Sequence, residues 1–444
     1  MNEIMTFKKQ YKKGIEIEKR YALLKKLYEE IIQNEDNITK ALYADLHKTK
    51  EESYMTEIGQ VLQEITYLLK NLRKLTKKRR VKGKMANFLS RNYELPSPQG
   101  VVLIMGTWNY PFSLSLTPLI SAIASGNYVV LKLSELSVNT NNAIYDILNK
   151  APFNEFIKVV LGSYEASNKL LEIDFDHVFY TGGENFGKVV YEKQARFLSK
   201  VTLELGGKSP CIIDETANID LAVRRIIFGK LLNAGQTCIA PDYIYCHRSI
   251  KDQVINKLQL EIKNQFKKES FPHIISDRHF QRLMGLIDEA EVINEYESDA
   301  NERYLSLVLL DSSFNSKVMQ EEIFGPLLPI ISYENKDEII DNLRNKTPLA
   351  LYLFSKDKKF IEDMTNNITF GGGCINDTIM HFTNNNLAFG GIKHSGIGKY
   401  HGKHGFDTFT HYKSITKTPT WFDTPLRYHP EKKLYNKIIR LFLK

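Results

Sequence analysis

The stretch NAGQTCIAPDY, which begins at residue 233, places one cysteine among alanine, glycine and threonine. A structural thiol is usually packed among large apolar side chains, whereas a reactive thiol needs nearby backbone groups and space for a substrate. The surroundings of Cys238 therefore favour a reactive thiol. The spacing of the four cysteines matches neither a zinc pattern nor a CxxC motif: Cys211, Cys238, Cys246 and Cys374.

Two polar side chains elsewhere could assist such a thiol. Glu204, in VTLELGGKSP, lies at the end of an apolar strand, where partial burial would raise its pKa toward that of a general base. Asn109, in GTWNYPF, follows a buried strand in a loop that Pro111 stiffens, so its amide could donate to an oxyanion. Each has an ordinary alternative: a capped structural carboxylate for Glu204 and a turn residue for Asn109.

Three further motifs suit a cofactor. Gly182 and Gly187, in FYTGGENFGK, would let backbone N–H groups at a helix start approach a pyrophosphate, although a plain strand–helix turn also fits. In VVLKLSE, Lys132 and Glu135 follow the carboxyl end of a strand, where α/β sheets bind ligands, but they could also form a surface ion pair. In QEEIFGPLLPI, one of two adjacent carboxylates could hold a sugar diol, or the loop is simply solvated.

The predicted order of secondary structure would bring these motifs together. Residues 16–75 show helical periodicity, and the basic run at 72–84 is interpreted as a solvated helix end or loop. From residue 100 onward, short apolar strands alternate with helical stretches such as 141–149 and 186–198. This alternation predicts two α/β lobes, each with a parallel sheet that is covered on both faces.

Composition excludes several classes of protein. Of 444 residues, 43% are hydrophobic and 25% charged, and a net charge of +8 is too small an excess to predict nucleic-acid binding. The N-terminus lacks the apolar run of a signal peptide, and no stretch approaches the roughly 20 apolar residues of a membrane span. We therefore expect a cytoplasmic protein with free thiols. One face of the basic tail could lie on a membrane or pack on protein: Leu434, Ile438, Leu441 and Phe442.

In their order along the chain, these motifs resemble the aldehyde dehydrogenase superfamily. The matching runs extend from about residue 95 to 415, and the cysteine context, LELGGK, EEIFGP and the glycine turn are each distinctive. The short segment before GTWNYPF and the run FGGIKHSGIGKYHGKHGFDTFTHYKS resemble the class 3 branch, which contains fatty, aromatic and bacterial carotenoid-aldehyde dehydrogenases. The resemblance implies NAD(P)-dependent oxidation of an aldehyde to its acid through a cysteine thiohemiacetal and thioester.

The resemblance also implies a role for each motif. Cys238 is the expected nucleophile, Glu204 the general base, and Asn109 with the Cys238 backbone N–H the oxyanion donors. Tyr110 and Phe228 are expected to line the site of a hydrophobic aldehyde. The cofactor residues implied are Lys132 and Glu135 at the adenosine ribose, Gly182 to Gly187 at the pyrophosphate, Glu322 rather than Glu321 at the nicotinamide ribose, and Phe324 beside the ring.

NAD is the expected cofactor, because the Glu135 carboxylate would repel the 2′-phosphate of NADP; NADP stays possible, since class 3 relatives often accept both. No metal is expected, because the histidines of the C-terminal signature match no common zinc spacing: His394, His401 and His404. Transfer of the acyl group to coenzyme A is the alternative reaction, and Glu204 argues against it. A non-enzymatic scaffold would be expected to lose the catalytic residues.

The fold implied is α/β, an aldehyde dehydrogenase-like fold of two Rossmann-like lobes with a small β arm for subunit contact in a homodimer. The expected division is 1–83 and 99–208 for the NAD(P)-binding domain with N-terminal helices, 209–404 for the catalytic domain, 84–98 and 405–420 for the arm, and 421–444 for the tail. A few single residues carry expectations of their own: Glu184 pointing outward, Phe228 where Trp is frequent, Cys374 as a buried spectator, and Cys211 and Cys246 in the core.

Overall fold

The computed structural model describes residues 2–287 and 290–423, together with residues 428, 434, 437 and 440. Helices form the N-terminal part, and helices and strands alternate from residue 101 onward. The helices are α1 (Asn2–Gln10), α2 (Ile17–Gln33), α3 (Glu35–Leu46), α4 (Lys50–Ser53), α5 (Gly59–Leu75), α6 (Ser113–Ser125), α7 (Val138–Leu148), α8 (Tyr164–Leu170), α9 (Glu184–Ala195), α10 (Ile219–Leu231), α11 (Lys251–Gln265), α12 (Asp277–Ile287), α13 (Lys336–Leu343), α14 (Lys358–Asn367) and α15 (Gly402–Thr408).

The first sheet has six strands, in the order β17 (Gly396–Ile397), β7 (Lys200–Glu204), β6 (His177–Thr181), β3 (Val101–Met105), β4 (Tyr128–Lys132) and β5 (Ile157–Val160). Neighbouring strands run parallel except β17, which pairs antiparallel with β7. The chain leaves β3 first toward β4 and later returns on the other side as β6. Such a switch opens a crevice at the carboxyl ends of the strands, which is where α/β sheets bind ligands.

The second sheet has seven strands, in the order β10 (Glu291–Val292), β13 (Val308–Asp311), β14 (Leu327–Tyr333), β9 (Tyr243–His247), β8 (Pro210–Ile213), β15 (Ala350–Phe354) and β16 (Gly372–Ile375). Apart from the antiparallel edge strand β10, its neighbours run parallel. Every residue of β15 is buried, because helices cover both faces of a parallel sheet. The prediction of two parallel α/β series is confirmed.

A third, antiparallel sheet consists of β1 (Arg79–Val81), β2 (Arg91–Pro98) and β18 (Thr410–Lys417), and a separate hairpin pairs β11 (Ser298–Asp299) with β12 (Tyr304–Leu305). The third sheet differs from the predicted arm at both ends. The basic run at 72–84 contains β1 as well as a helix end, and residues 405–408 are helical because they complete α15. Basic side chains suit an exposed edge strand as well as a solvated loop, so the charge pattern did not separate the two.

The N-terminal helices are amphipathic as predicted, and their apolar side is fully buried at Ile31, Ile38 and Ile65. They also hold the C-terminal part of the chain, since the Glu64 carboxylate accepts from the Gly402 N–H at 2.9 Å. This contact and the pairing of β17 with β7 attach residues near 396–404 to the first lobe. The sequence analysis assigned these residues to the catalytic domain. Within the described residues, no helix has both the length and the apolar character needed to cross a membrane.

Candidate active site

One cavity of about 190 Å³ is lined by residues from the N-terminal helices and from both lobes. Cys238 and Glu204, which lie in different lobes, both face it. Its remaining walls are apolar, aromatic, hydroxyl or amide groups, and the aromatic ones are Tyr110, Phe228, Phe382, Phe389 and Tyr400. The cavity therefore combines a thiol and a carboxyl with walls suited to an apolar ligand.

A tightly folded loop carries Cys238 into this cavity. Three consecutive residues, 233–235, take left-handed conformations with φ of 50°, 51° and 72°. Glycine is required at 235, because a Cβ there would lie 2.4 Å from the Gly325 carbonyl oxygen. The cysteine loop is thus packed directly against the segment 322–325.

The surroundings of Cys238 keep its thiol protonated. Loss of water around the sulfur raises the pKa of Cys238, and the carboxylates of Glu322 and Glu204 raise it further. The backbone N–H groups of Cys238 and Ile239 act in the opposite direction. Formation of the thiolate therefore depends on a base or a positive charge that offsets the two carboxylates.

Asn109 is hydrogen-bonded to the cysteine loop in both directions. It is 2% exposed; its Nδ2 donates to the Gln236 carbonyl at 2.9 Å, and its own carbonyl accepts from Asn233 Nδ2 at 2.7 Å. Beside it, the hydroxyl oxygens of Tyr110 and Thr237 are 2.6 Å apart. The loop that follows β3 and the cysteine loop therefore form one hydrogen-bonded unit.

Glu204 lies in an environment that favours its neutral form. It is 3% exposed at the end of β7, where Gly396 of β17 pairs with it. Neither carboxylate oxygen has a hydrogen-bond partner among the described residues, and burial raises the pKa of Glu204 well above its ordinary value, in the predicted direction. Such a carboxyl accepts a proton more readily than a solvated one, as a general base must.

The adjacent carboxylates of Glu321 and Glu322 point to different places. Glu321 is exposed and pairs with Arg282 at 2.8 Å. Glu322 lies against Gly206 and accepts from the Gly207 N–H, and burial raises the pKa of Glu322 to about 8. Its Oε1 has no partner in the part of the chain that the structure describes, so this oxygen can accept from a ligand.

Phe324, two residues after Glu322, takes a left-handed conformation with φ of 51°. Its ring meets that of Trp108 edge to face, with centroids 5.3 Å apart, and Trp108 in turn contacts the His279 ring at 5.1 Å. Because Trp108 precedes Asn109, these aromatic contacts join the 322–325 segment to the loop after β3.

Lys132 ends β4 and is almost completely buried. Its Nζ donates to the carbonyls of Leu133 at 2.5 Å and Gly162 at 2.8 Å, and Glu135 Oε2 lies 4.0 Å away. Burial lowers the pKa of Lys132. An ammonium carries three N–H donors, so one is left for a ligand at this edge of the sheet.

The glycine turn after β6 leads into α9, whose N-terminus has no side-chain cap. Gly182 donates to the Glu204 carbonyl at 3.0 Å, which ties the turn to the strand of that carboxyl. A Cβ at Gly187 would lie 2.7 Å from Leu205, whereas a Cβ at Gly183 would meet nothing within 4 Å. The start of α9 therefore has uncapped N–H groups and open space beside Gly183, a combination that suits an anionic group.

Other predicted positions have simpler surroundings. Glu184 points outward as predicted and pairs with Lys188 and His394, both at 2.8 Å. His401 packs on the rings of Phe382 and Tyr400. Across the described residues, no three His, Cys, Asp or Glu side chains are grouped to hold a metal ion.

The cysteines outside the cavity divide into two kinds. Cys211 and Cys246 are 0% exposed, which confirms that they belong to the core. Cys374 lies outside the cavity lining, but it is half-buried rather than buried as predicted, and its Sγ lies 3.5 Å from His381 Nδ1. It stands in the short strand β16, at the edge of the second sheet, which leaves it less covered than the central strands.

Sequence analysis did not predict a buried ion pair that contacts the Asn109 carbonyl. Lys48 and Glu57 are each 0% exposed, with Nζ and Oε1 2.6 Å apart. Lys48 also lies 4.0 Å from the centre of the Tyr110 ring. In the sequence both residues stand among many other charges of the amphipathic helices, so no local pattern separates them from surface residues.

Together, these features combine, in an α/β fold, a thiol and a carboxyl in one cavity with a set of groups that fit a dinucleotide. The fit to a dinucleotide rests on groups that lack a partner in the described structure: the spare donor of Lys132, the open start of α9, Thr181 Oγ1 and Glu322 Oε1. All of them adjoin the crevice at the carboxyl ends of the first sheet or face it from the second lobe.

Comparison with known proteins identifies the family of the chain. The model of the aldehyde dehydrogenase family matches residues 6–415. The chain is 44% identical to 4,4'-diaponeurosporen-aldehyde dehydrogenase of Staphylococcus aureus (strain NCTC 8325 / PS 47), over 95% of this chain and 94% of that protein. It is 43% identical to aldehyde dehydrogenase family 3 member A2 of Rattus norvegicus, over 89% and 83% of the two chains.

Two further comparisons bear on cofactor and fold. The dimeric NADP-preferring aldehyde dehydrogenase of Canis lupus familiaris is 41% identical, over 93% of each chain. A solved structure described as the substrate-bound state of Staphylococcus aureus AldH has a TM-score of 0.95 and 43% identity, and covers 97% of this chain and 96% of that one.

The chain belongs to the aldehyde dehydrogenase family, and the predicted resemblance to its class 3 branch is confirmed. It is an NAD(P)-dependent oxidoreductase that converts an aldehyde to the carboxylic acid through a cysteine-bound thiohemiacetal and thioester.

Proposed function

We propose that Cys238 is the nucleophile of this enzyme, Glu204 its general base, and Asn109 the side-chain donor to the oxyanion. One observation carries the proposal: Cys238 and Glu204 face the same cavity, and the Asn109 amide donates to Gln236, two residues before the cysteine. An amide has two N–H donors, so Asn109 keeps one for a substrate oxygen.

In the first step, the Cys238 thiol gives its proton to a water molecule, which passes it to solvent, and its sulfur attacks the aldehyde carbon. The carbonyl oxygen becomes an oxyanion, which accepts from Asn109 Nδ2 and from the Cys238 backbone N–H. Loss of one such donor costs about 3 kcal/mol of transition-state stabilisation. Bound NAD(P) supplies the hydride acceptor for the oxidation that leaves a thioester on Cys238.

In the second step, Glu204 takes a proton from a water molecule whose oxygen attacks the thioester carbon. The carbon–sulfur bond breaks, the acid leaves and Cys238 regains its proton. Its raised pKa suits Glu204 to this task, because a carboxyl without hydrogen-bond partners binds a proton more tightly than a solvated one. The same burial keeps the carboxyl away from bulk water.

For the cofactor, we propose that the ribose of the adenosine binds at Lys132 and Glu135, the pyrophosphate at the turn from Gly182 to Gly187, and the nicotinamide ribose at Glu322, with Phe324 beside the ring. The exposed Glu135 carboxylate favours NAD, because it would repel a 2′-phosphate. NADP is the competing cofactor, as a similar protein is described as NADP-preferring.

We propose a hydrophobic aldehyde of medium or long chain, or an aromatic one, as the substrate. The cavity walls support this class, with Tyr110 and Phe228 among several aromatic residues. The similar Staphylococcus aureus enzyme is named for a carotenoid aldehyde, which agrees with a long apolar substrate. We expect kcat/KM to rise from acetaldehyde to long-chain and polyene aldehydes, measured as NADH formation; a preference for acetaldehyde would contradict the proposal.

We further propose that the enzyme is a cytoplasmic homodimer. Strand β18 is an exposed edge of the third sheet, and an edge strand offers unpaired backbone groups to a second copy. The four free cysteines suit a reducing compartment. Membrane contact through the tail stays a prediction: Leu434 is 64% exposed, and Ile438, Leu441 and Phe442 lie outside the described residues.

Substitution of Cys238 by alanine tests the central proposal. Because the covalent steps need the sulfur, we expect Cys238→Ala to abolish both aldehyde oxidation and hydrolysis of an activated ester, while NAD binding, followed by fluorescence titration, is kept. Cys374→Ala is the matched control, since its half-buried thiol does not line the cavity. Full turnover by Cys238→Ala would refute the mechanism.

A further inference from the structure

A buried ion pair between Lys48, in the link from α3 to α4, and Glu57, just after α4, holds the loop that starts at Asn109. Lys48 Nζ lies 2.6 Å from Glu57 Oε1 and donates to the Asn109 carbonyl at 2.9 Å. The second oxygen of Glu57 accepts from the backbone N–H groups of Phe112 at 3.0 Å and Ser113 at 2.9 Å. Lys48 therefore holds the start of this loop, and Glu57 holds its end.

The same N-terminal segment also reaches the cysteine loop. Glu52 Oε1 accepts from the Asn233 N–H at 2.7 Å. Asn233 Nδ2 then donates to the Asn109 carbonyl at 2.7 Å, which is the oxygen that also accepts from Lys48. One carbonyl oxygen thus links the ion pair, the candidate oxyanion donor and the cysteine loop.

Stability alone is a weak reason for this pair. Two charges that lose all contact with water pay a large desolvation cost, and a buried ion pair is often no more stabilising than apolar residues of the same size. Among the described residues, every hydrogen bond that the Lys48 and Glu57 side chains make outside the pair goes to the loop from Asn109 to Ser113. Glu57 also stands in a π-helix at 54–58, a rare element that is frequent at functional sites.

We propose that Lys48 and Glu57 are positioning residues, which fix the backbone of Asn109 so that its amide is aimed at the oxyanion. This inference rests on the oxyanion role proposed above for Asn109. Lys48 acts on the carbonyl of the residue whose side chain donates, and Glu57 holds the turn that follows. A displacement of about 1 Å at such a donor can cost about 100-fold in rate, so neither charge needs to touch the substrate.

The test is a double-mutant cycle between Lys48→Met and Asn109→Ala, read as the single-turnover rate of NADH formation at saturating NAD. We expect Lys48→Met to lower this rate about 10-fold to 100-fold in the otherwise unchanged enzyme. When Asn109 is already alanine, the same substitution should lower the rate less than about 3-fold, because residues that act through one group are not additive. A purely structural loss would lower both rates by the same factor.

Lys208→Met is the matched control, since Lys208 pairs with Asp242 and donates to the Glu321 carbonyl, on the cofactor side of the site. Lys208→Met should lower the single-turnover rate by the same factor in the original enzyme and in the Asn109→Ala enzyme. Glu57→Gln repeats the cycle with a side chain that still accepts from the two N–H groups, and it decides the question if Lys48→Met does not fold.

The outcomes separate the two proposals. If the Lys48 or Glu57 substitution lowers the rate by the same factor with and without Asn109→Ala, the positioning role alone is overturned. An Asn109→Ala enzyme with an unchanged rate would overturn the oxyanion role of Asn109, and the positioning role with it.

Discussion

Two carboxyl groups, Glu322 and Glu204, both raise the pKa of Cys238, and they show how surroundings divide one side-chain type between two tasks. Burial raises the pKa of both, but Glu204 has no hydrogen-bond partner in the described structure, whereas Glu322 accepts from the Gly207 N–H. A carboxyl without partners is suited to exchange a proton, and a carboxyl held by backbone is suited to hold a ligand in place.

The largest effect should come from Glu204→Gln, because glutamine has the same shape but cannot take a proton from water. We expect steady-state turnover to fall about 10²- to 10⁴-fold, the usual contribution of a general base. The first turnover should still release a burst of NADH, since the base is needed only after the thioester has formed. Stopped-flow NADH fluorescence measures both phases.

Loss of the burst together with the turnover would mean that Glu204 acts before or during hydride transfer. The proposed difference in task between Glu204 and Glu322 would then be wrong. Equal burst amplitudes in the original and substituted enzymes would support hydrolysis as the step that needs the base.

A smaller and different loss is expected for Glu322→Gln. A hydrogen bond to a charged group is worth about 1.5–3 kcal/mol, so above pH 8, where Glu322 is ionised, kcat/KM for NAD should fall about 10- to 100-fold while thioester hydrolysis is kept. Glu321→Gln is the matched control: its exposed pair with Arg282 should change kcat/KM less than about 5-fold. If Glu321→Gln is the more damaging change, the assignment of the ribose ligand is reversed.

The smallest effect concerns the thiol itself. Both carboxylates raise the pKa of Cys238, with Glu322 the larger charge effect, so removal of either negative charge should lower that pKa. The pH–rate curve for alkylation by iodoacetamide should therefore move to lower pH, further for Glu322→Gln than for Glu204→Gln, with less than about a 10-fold change in rate at fixed pH. Cys238→Ala gives the background from other thiols, and the reverse order of shifts would contradict the comparison.

Much of the site could be predicted because its residues directly follow short apolar strands or stand in distinctive motifs. Asn109 comes after β3 and Glu204 ends β7, so the sheet that the sequence predicted also carries them to one edge. The ion pair of Lys48 and Glu57 could not be predicted in this way. Charges recur throughout the amphipathic helices, and tertiary packing against the loop after β3 decides that these two are buried.

The return of the chain to the first lobe could not be predicted from the sequence either. Strand β17 has two residues, Gly396 and Ile397, and so short a strand leaves no alternating pattern in the sequence. Its antiparallel pairing beside Glu204 depends on contacts across about 190 positions of the chain, which local propensity does not report.

That pairing has a consequence for the enzyme while it is being made. A nascent polypeptide emerges from the ribosome N-terminus first, and its lobes fold in that order. A chain that has reached residue 390 already contains the thiol, the amide and both carboxyls, yet it lacks the strand that pairs with Glu204. The surroundings of Glu204 are therefore completed only after residue 397 has been added to the chain.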